Sequence, residues 1–204
     1  MCGITNLEDA LAAVEAGADA LGFVFYDKSP RYIEPFEARK IVDEIPPFIQ
    51  TVGLFVNENS GFINQVCTNA KMQLAQIIDD DSFTDFDALK FKSMRVIRAK
   101  SEKDIIENIN NYVLVDAFVD SFGGAGKRVA LEWFNRVDCS KIVLAGGLTE
   151  DNISELKGYT FYGVDVSSGV EQSKGKKDKQ KMINFVKSHG KIENPIKIST
   201  FLVL

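Results

Sequence analysis

Short apolar runs alternate along the chain with segments whose apolar residues recur at helical spacing. Glycine, aspartate and asparagine separate the two kinds of segment, a pattern typical of successive βα units. The pattern predicts eight such units, one every ~24 residues. The predicted strands are Met1–Ile4, Ala20–Phe25, Thr51–Val56, Leu74–Ile78, Met94–Arg98, Tyr112–Phe118, Lys141–Ala145 and Phe161–Val166.

A helix is predicted after each strand. For the first helix, Thr5 and Glu8 indicate a capping box and Gly17 marks the end. Pro35 suits the first turn of the second helix, which we expect to end before residues 46–47. The fourth and seventh helices look short. Apart from the second helix, the predicted helices are Leu7–Ala16, Phe62–Ala70, Asp85–Leu89, Glu102–Ile109, Leu131–Val137, Asp151–Leu156 and Asp178–Ser188.

Eight βα units in 204 residues favour a small (β/α)8 barrel, whose parallel strands form a closed ring inside a layer of helices. An open, doubly wound sheet is the alternative fold. That fold more naturally has a G-x-G-x-x-G loop after its first strand, and here the chain reads Cys2-Gly3-Ile4-Thr5. We therefore predict a single barrel domain over residues 1–204, with residues 190–204 as a tail beyond the last helix.

Composition and charge narrow the class of protein. Apolar residues make up 45% and charged residues 26% of the chain, as in ordinary globular proteins. No apolar run reaches the ~20 residues of a membrane span, and the first residues do not resemble a signal peptide. Three cysteines are too few for a disulfide framework, which fits a reducing cytoplasm. A net charge of −5 disfavours a nucleic-acid surface.

A lysine-rich stretch lies near the end of the chain. Residues 172–191 contain seven lysines against Asp178 alone. Such a run is most often the solvated face of a helix. The alternative is that its positive charge helps to attract an anionic substrate.

Two loops after the last two predicted strands favour anion binding. Gly146 and Gly147 let backbone N–H groups approach an anion closely, and Ser167 and Ser168 add further donors. Barrels commonly bind phosphate at this place. The alternative is that these residues only form tight βα turns.

Three reactive or charged side chains lie at predicted strand ends, where barrels place their active sites. Asp116, in an apolar strand, is predicted to have a raised pKa suited to a general acid, or else to cap the following loop. Cys2 is a candidate catalytic thiol, which must ionise more easily than a free thiol, or a small buried hydrophobe. Arg31, on a predicted surface loop, is either an ordinary exposed arginine or a fork for a substrate carboxylate.

The order of these segments resembles the phosphoribosylanthranilate isomerase family, the barrel enzymes of tryptophan biosynthesis. The resemblance covers roughly residues 1–188. It rests on the motifs C-G-I-T-N-L-E-D-A, A-G-A-D-A-L-G-F-V-F, S-P-R-Y-I, G-L-F-V-N, V-D, G-G-x-G-K, A-G-G-L and D-V-S-S-G-V-E.

The resemblance implies an Amadori rearrangement, in which N-(5-phosphoribosyl)anthranilate becomes an open-chain aminoketose phosphate without a metal or cofactor. It assigns the general base to Cys2 and the general acid to Asp116. It places Asp165 near the sugar, Arg31 near the anthranilate, and the phosphate on the loops at 146–147 and 167–168. The expected partner is a small phosphosugar, and a monomer and a homodimer both stay open.

The sequence departs from the family pattern at several places. Ile78 replaces an active-site histidine at the end of strand four, and G-G-A-G-K-R replaces the usual glycine-rich loop. The family usually has several residues before the cysteine, so we expect the natural first strand to extend upstream of Met1. The departures motivate an alternative, a catalytically weak phosphosugar-binding barrel with a regulatory or assembly role. A third interpretation is another phosphate-binding barrel isomerase or lyase.

Overall fold

A curved parallel sheet forms the centre of the structure. The computed structural model describes residues 1–109, 111–117 and 128–189. Within these residues seven parallel strands pair in chain order, each with the next. They are β1 (Ala20–Val24), β2 (Gln50–Val56), β3 (Leu74–Ile78), β4 (Lys92–Ala99), β5 (Val113–Ala117), β6 (Ile142–Leu144) and β7 (Gly163–Val164).

The N-terminal segment, residues 1–4, closes this sheet into a barrel. On one side, the Gly22 N–H donates to the Met1 carbonyl at 2.8 Å and the Gly3 N–H donates to the Gly22 carbonyl at 2.9 Å. On the other side, the Cys2 N–H donates to the Val166 carbonyl, just beyond β7, at 2.9 Å. The segment forms an isolated bridge where a full strand was predicted. Strand order and closure together confirm the predicted (β/α)8 barrel.

The α-helices lie outside the sheet, and their ends follow local hydrogen bonding. In the first helix the N-cap is Asn6, whose side chain accepts from the Asp9 N–H, so the predicted cap at Thr5 is wrong. Gly17 ends this helix in the left-handed region, as predicted. No helix within the described ranges is long and apolar enough to cross a membrane. The helices are α1 (Leu7–Ala16), α2 (Pro35–Glu44), α3 (Ser60–Ala70), α4 (Glu102–Ile106) and α5 (Lys179–His189).

Short 3-10 turns replace three of the predicted helices. The fourth and seventh helices are short, as predicted, and occupy Phe86–Ala88 and Ile153–Leu156. The sixth predicted helix is also reduced to a 3-10 turn, at Leu131–Phe134. The prediction of a helix over Leu131–Val137 is therefore wrong. The reason is that fewer than two turns of apolar periodicity cannot distinguish an α-helix from a 3-10 turn.

A small antiparallel hairpin precedes the last helix. It consists of β8 (Glu171–Ser173) and β9 (Lys176–Lys177), joined by a turn at Gly175. The lysine-rich stretch therefore begins as a hairpin rather than as a solvated helix face. Lys177 is 2% exposed, which contradicts the expectation for that run.

Alternation along the strands divides the barrel interior from the layer under the helices. Phe23, Phe55, Ile77 and Val115 are fully buried among the apolar residues of the core. Their strand neighbours point to the opposite face, because successive side chains in a strand alternate in direction. That opposite face lines the cavity described next.

Candidate active site

One cavity opens at the carboxyl ends of the barrel strands. All eight residues selected from the sequence line it, so the fold brings together positions that lie far apart along the chain. Its walls also include Val24, Leu54, Gln76, Ile78 and Leu114 from the inward faces of the strands. The selected residues are Cys2, Arg31, Asp116, Gly146, Gly147, Asp165, Ser167 and Ser168.

Cys2 enters the cavity from the N-terminal segment that closes the barrel. The residue is 8% exposed, and Gly22 on β1 leaves the room that its side chain occupies: a Cβ at Gly22 would lie 3.0 Å from the Cys2 sulfur. Burial, together with the nearby Asp165 carboxylate, raises the pKa of the thiol to about 12. This direction is opposite to the expectation of a thiol that ionises more easily than a free thiol.

Asp116 lies near the end of β5 and faces the cavity. Its Oδ1 accepts a hydrogen bond from the N–H of Ala117, the last residue of β5, at 2.7 Å. The loop that Asp116 was alternatively expected to cap begins outside the described residues. Burial raises the pKa of this carboxyl from its ordinary 3.8 to about 6; the Ala117 N–H opposes the rise, while nearby Asp165 adds to it. The raised pKa agrees with the predicted direction, so a protonated acid is accessible near neutral pH.

Asp165 follows β7, and its charge acts on both Cys2 and Asp116. Its negative charge raises the pKa of both Cys2 and Asp116. Burial raises the pKa of Asp165 itself, and the positive charges of the N-terminus and Lys177 partly offset that rise. Three titratable groups therefore share one cavity, and the negative charge of Asp165 opposes the ionisation of Cys2 and Asp116.

The two predicted anion loops are adjacent. Gly146 and Gly147 both adopt positive φ angles, 89° and 61°. Asn152 holds this loop, since its side-chain amide donates to the Gly147 carbonyl at 2.9 Å. The second loop passes so close that a Cβ on Gly169 would lie 1.8 Å from the Leu148 carbonyl oxygen, which only glycine avoids.

Arg31 is buried, not exposed on a surface loop. Its Nε and Nη2 donate to the two carboxylate oxygens of Glu171 at 2.7 and 2.8 Å. Its side chain is 8% exposed and that of Glu171 is 5% exposed. Arg31 lines the cavity, and two of its N–H groups, those of Nε and Nη2, are already bonded to Glu171.

Glu171 and Lys177 contact two residues that line the cavity, Arg31 and Ser167, and the sequence reasoning missed both. Lys177 Nζ donates to Glu171 at 3.1 Å and to the Ser167 carbonyl at 3.1 Å. Glu171 was visible only as the end of the motif D-V-S-S-G-V-E, and Lys177 was hidden among the other lysines of its run. A charged residue directly after buried Val170 is the one local signal that marks Glu171.

Ile78 lines the cavity where the resemblance implied a histidine. It is 6% exposed and ends β3. Asp79, the next residue, does not face this cavity; its Oδ1 accepts from the backbone N–H groups of Phe83 and Thr84. The wall at this position is therefore apolar.

Some expectations fall outside the described residues. They concern the glycine-rich loop S-F-G-G-A-G-K at 121–127 and the tail at 190–204. In the ranges that are described, no group of three or more histidine, cysteine, aspartate or glutamate side chains has a metal-binding arrangement.

Fold and site together define a (β/α)8-barrel enzyme with an aspartate of raised pKa, a thiol and two glycine- and serine-rich loops around one cavity. A family model described as "N-(5'phosphoribosyl)anthranilate (PRA) isomerase" matches residues 1–188. The chain belongs to this family, and the expectation of an isomerase of tryptophan biosynthesis is confirmed.

Individual relatives agree with this assignment. The N-(5'-phosphoribosyl)anthranilate isomerase of a Nitratiruptor species is 60% identical over 186 residues, which cover 91% of this chain and 95% of that protein. The crystal structure of the phosphoribosyl anthranilate isomerase from Thermotoga maritima superimposes with a TM-score of 0.84 at 35% identity, covering 94% of this chain and 97% of that one.

A further solved structure contains a ligand. It is a phosphoribosyl anthranilate isomerase in complex with reduced 1-(o-carboxyphenylamino)-1-deoxyribulose 5-phosphate. It superimposes with a TM-score of 0.77 at 36% identity, covering 93% of this chain and 96% of that one.

Proposed function

We propose that this chain converts N-(5-phosphoribosyl)anthranilate to 1-(2-carboxyphenylamino)-1-deoxyribulose 5-phosphate in the cytoplasm, with Asp116 as general acid and Cys2 as general base. The observation that carries the assignment is that one cavity contains an aspartate with a raised pKa, a thiol and two donor-rich loops. Three buried, free cysteines fit a reducing compartment. The rearrangement moves protons within the substrate and needs no net oxidation or reduction.

The first step is ring opening. The protonated carboxyl of Asp116 donates its proton to the ribose ring oxygen as the bond between that oxygen and the anomeric carbon breaks. The nitrogen lone pair forms the new double bond, which gives a protonated Schiff base and leaves Asp116 as a carboxylate. A carboxyl with a pKa of about 6 is better matched to this donation near neutral pH than one with the ordinary value of 3.8.

The second step removes the proton from the carbon next to the Schiff base. The Cys2 thiolate takes this proton, the electron pair moves toward the iminium nitrogen, and an enolamine forms. The enolamine then tautomerises to the ketone. Because the pKa of the thiol is about 12 in the ligand-free site, ionisation has to be favoured by the bound substrate. The positive iminium charge beside the thiol acts in that direction.

Substrate binding uses both sides of the cavity. Backbone N–H groups at Gly147 and at Ser167–Ser168 receive the phosphate, and Gly146 lets the backbone turn there. Arg31 faces the anthranilate carboxylate with the part of its fork that Glu171 does not use. Asp165 lies near the sugar. The ligand named in the related solved complex carries a phosphate and a carboxyphenyl group, the two anionic ends to which this division assigns partners.

A fluorescence assay that follows the loss of phosphoribosylanthranilate tests the proposal on the purified protein. Turnover that depends on enzyme concentration is the expected result. Cys2→Ala is the matched control, since it removes the thiol and changes little else in volume. Absence of turnover in the wild type, with binding of the reduced product analogue retained, would instead identify the catalytically weak barrel that Ile78 suggests.

A further inference from the structure

Lys177 is a buried lysine for which the proposed chemistry has no use. Its side chain is fully shielded from solvent. A buried ammonium group is costly unless hydrogen bonds and an opposite charge compensate it. Lys177 has both: Nζ lies 3.1 Å from a Glu171 carboxylate oxygen, 3.1 Å from the Ser167 carbonyl oxygen and 3.4 Å from the Ser167 hydroxyl.

These contacts connect the two ends of the cavity. Glu171 holds the Arg31 guanidinium through two hydrogen bonds, of 2.7 and 2.8 Å. Lys177 holds the same carboxylate and also the backbone and side chain of Ser167, on the loop proposed to bind phosphate. The carboxylate end and the phosphate end of the site are thus joined through two buried side chains.

The hairpin that carries Lys177 is itself anchored to the barrel. The Lys177 N–H donates to Asp9 Oδ2 at 2.8 Å, and the Lys176 ammonium pairs with Glu8 and Asp9 at 2.7 and 2.9 Å. The Thr5 hydroxyl donates to the Gly175 carbonyl at 2.6 Å. The ammonium of Lys177 therefore projects from a fixed backbone, which is the condition for a group that orients others.

We infer that Lys177 is a positioning residue that sets the Ser167 loop for the substrate phosphate and, through Glu171, fixes the distance from that loop to Arg31. The inference rests on the proposed function for the identity of the two anionic ends. It adds a residue that touches neither the reacting atoms nor, by our assignment, the substrate.

Lys177→Met tests the role, with Lys174→Met as the matched control. Both variants remove one ammonium group from the same hairpin, but Lys174 is an exposed residue of its turn. For Lys177→Met, we expect at least a tenfold weaker affinity for inorganic phosphate by titration calorimetry and a similar rise in KM. For Lys174→Met, both quantities should stay within about twofold of wild type.

A double variant, Glu171→Gln with Lys177→Met, separates positioning from net charge. It removes one positive and one negative charge, so the net charge of the network is the same as in the wild type. The glutamine amide needs no second cationic partner and its oxygen can still accept from Arg31, so the double variant is expected to fold even if the single variant does not. Because Glu171→Gln also perturbs Arg31, the double variant is compared with Glu171→Gln alone. The contact with Ser167 is lost only in the double variant, so we expect its KM to be at least tenfold higher while kcat differs less than about threefold.

Wild-type KM and phosphate affinity in the double variant would overturn the inference, since positive charge alone would then explain any loss in Lys177→Met. Equal losses in Lys177→Met and Lys174→Met would also overturn it. A wild type without turnover would refute the proposed function instead. The comparison of phosphate affinities would still decide the role of Lys177 in that case.

Discussion

Replacing Asp116 by asparagine should make the protein more stable and nearly inactive. The structure raises the pKa of this carboxyl from 3.8 to about 6, because burial disfavours its ionised form. Above pH 6 the folded protein therefore carries a carboxylate that would be more stable in the unfolded chain. Asparagine keeps an oxygen that can accept from the Ala117 N–H but has no charge to bury.

The magnitude follows from the pKa difference. At pH 8 the group is ionised in both states, and burying its charge costs about 3 kcal/mol of folding free energy. At pH 4.5 the folded protein keeps the proton that most unfolded chains release, and this costs about 1 kcal/mol. Below pH 3.8 both states are protonated and the cost vanishes. The gain in stability of Asp116→Asn should therefore rise with pH between about 4 and 6 and level off above that range.

Urea unfolding at pH 4.5 and pH 8 measures this gain, and the fluorescence assay measures the expected ~10²–10⁴-fold loss of turnover. Asp138→Asn is the control, because Asp138 is an exposed aspartate that accepts from the Ser140 N–H and has a lowered pKa. Its replacement should shift stability in the opposite direction at pH 8. A stability gain for Asp116→Asn that does not change with pH would refute the electrostatic reasoning, and retained turnover would refute the catalytic role.

Three further predictions concern the thiol and the second loop. Cys2→Ala should lower turnover ~10²–10⁴-fold. Ile78→His should change turnover far less, because an active enzyme with isoleucine at this position does not use a histidine for proton transfer. A Cys2→Ala variant that keeps most of its activity would show that the thiol is not the base. In the ligand-free protein, iodoacetamide at pH 8 should label Cys2 much more slowly than in the urea-unfolded chain, since its pKa is about 12, and equal rates by mass spectrometry would contradict this. Gly169→Ala should displace the loop from the Leu148 carbonyl and raise KM, and an unchanged KM would show that the loop is not part of the site.

The strands were predictable because buried parallel strands are short apolar runs with turn residues between them. Predicted Leu74–Ile78 matches β3, and Ala20–Phe25 differs from β1 by one residue. The bounds of Leu7–Ala16 were equally predictable from its apolar spacing and from Gly17 at its end, although its N-cap is Asn6 and not Thr5. The sixth helix was not, because its segment is too short for periodicity to identify the helix type.

The sequence predicted which residues line the candidate site, but not their burial, their partners or all of their pKa shifts. Strand ends indicated Cys2 and Asp116, and the motif order indicated Asp165. The burial of Arg31 could not be predicted, since its partner Glu171 lies 140 residues away along the chain. The same limit applies to the Cys2 thiol, whose raised pKa arises from burial and from Asp165, both of which depend on the tertiary structure.

The closure of the barrel through the N-terminal segment has a consequence for the order of folding. The hydrogen bond from Cys2 to Val166 joins residues from opposite ends of the described chain. Contacts between such distant residues carry a large entropic cost of loop closure, so we expect them to form after the local βα units. The thiol then meets Asp116 and Asp165 only in the last stage of assembly. Partly folded chains accordingly lack the complete set of proposed proton-transfer groups, and by that proposal catalytic competence arises together with the closed ring.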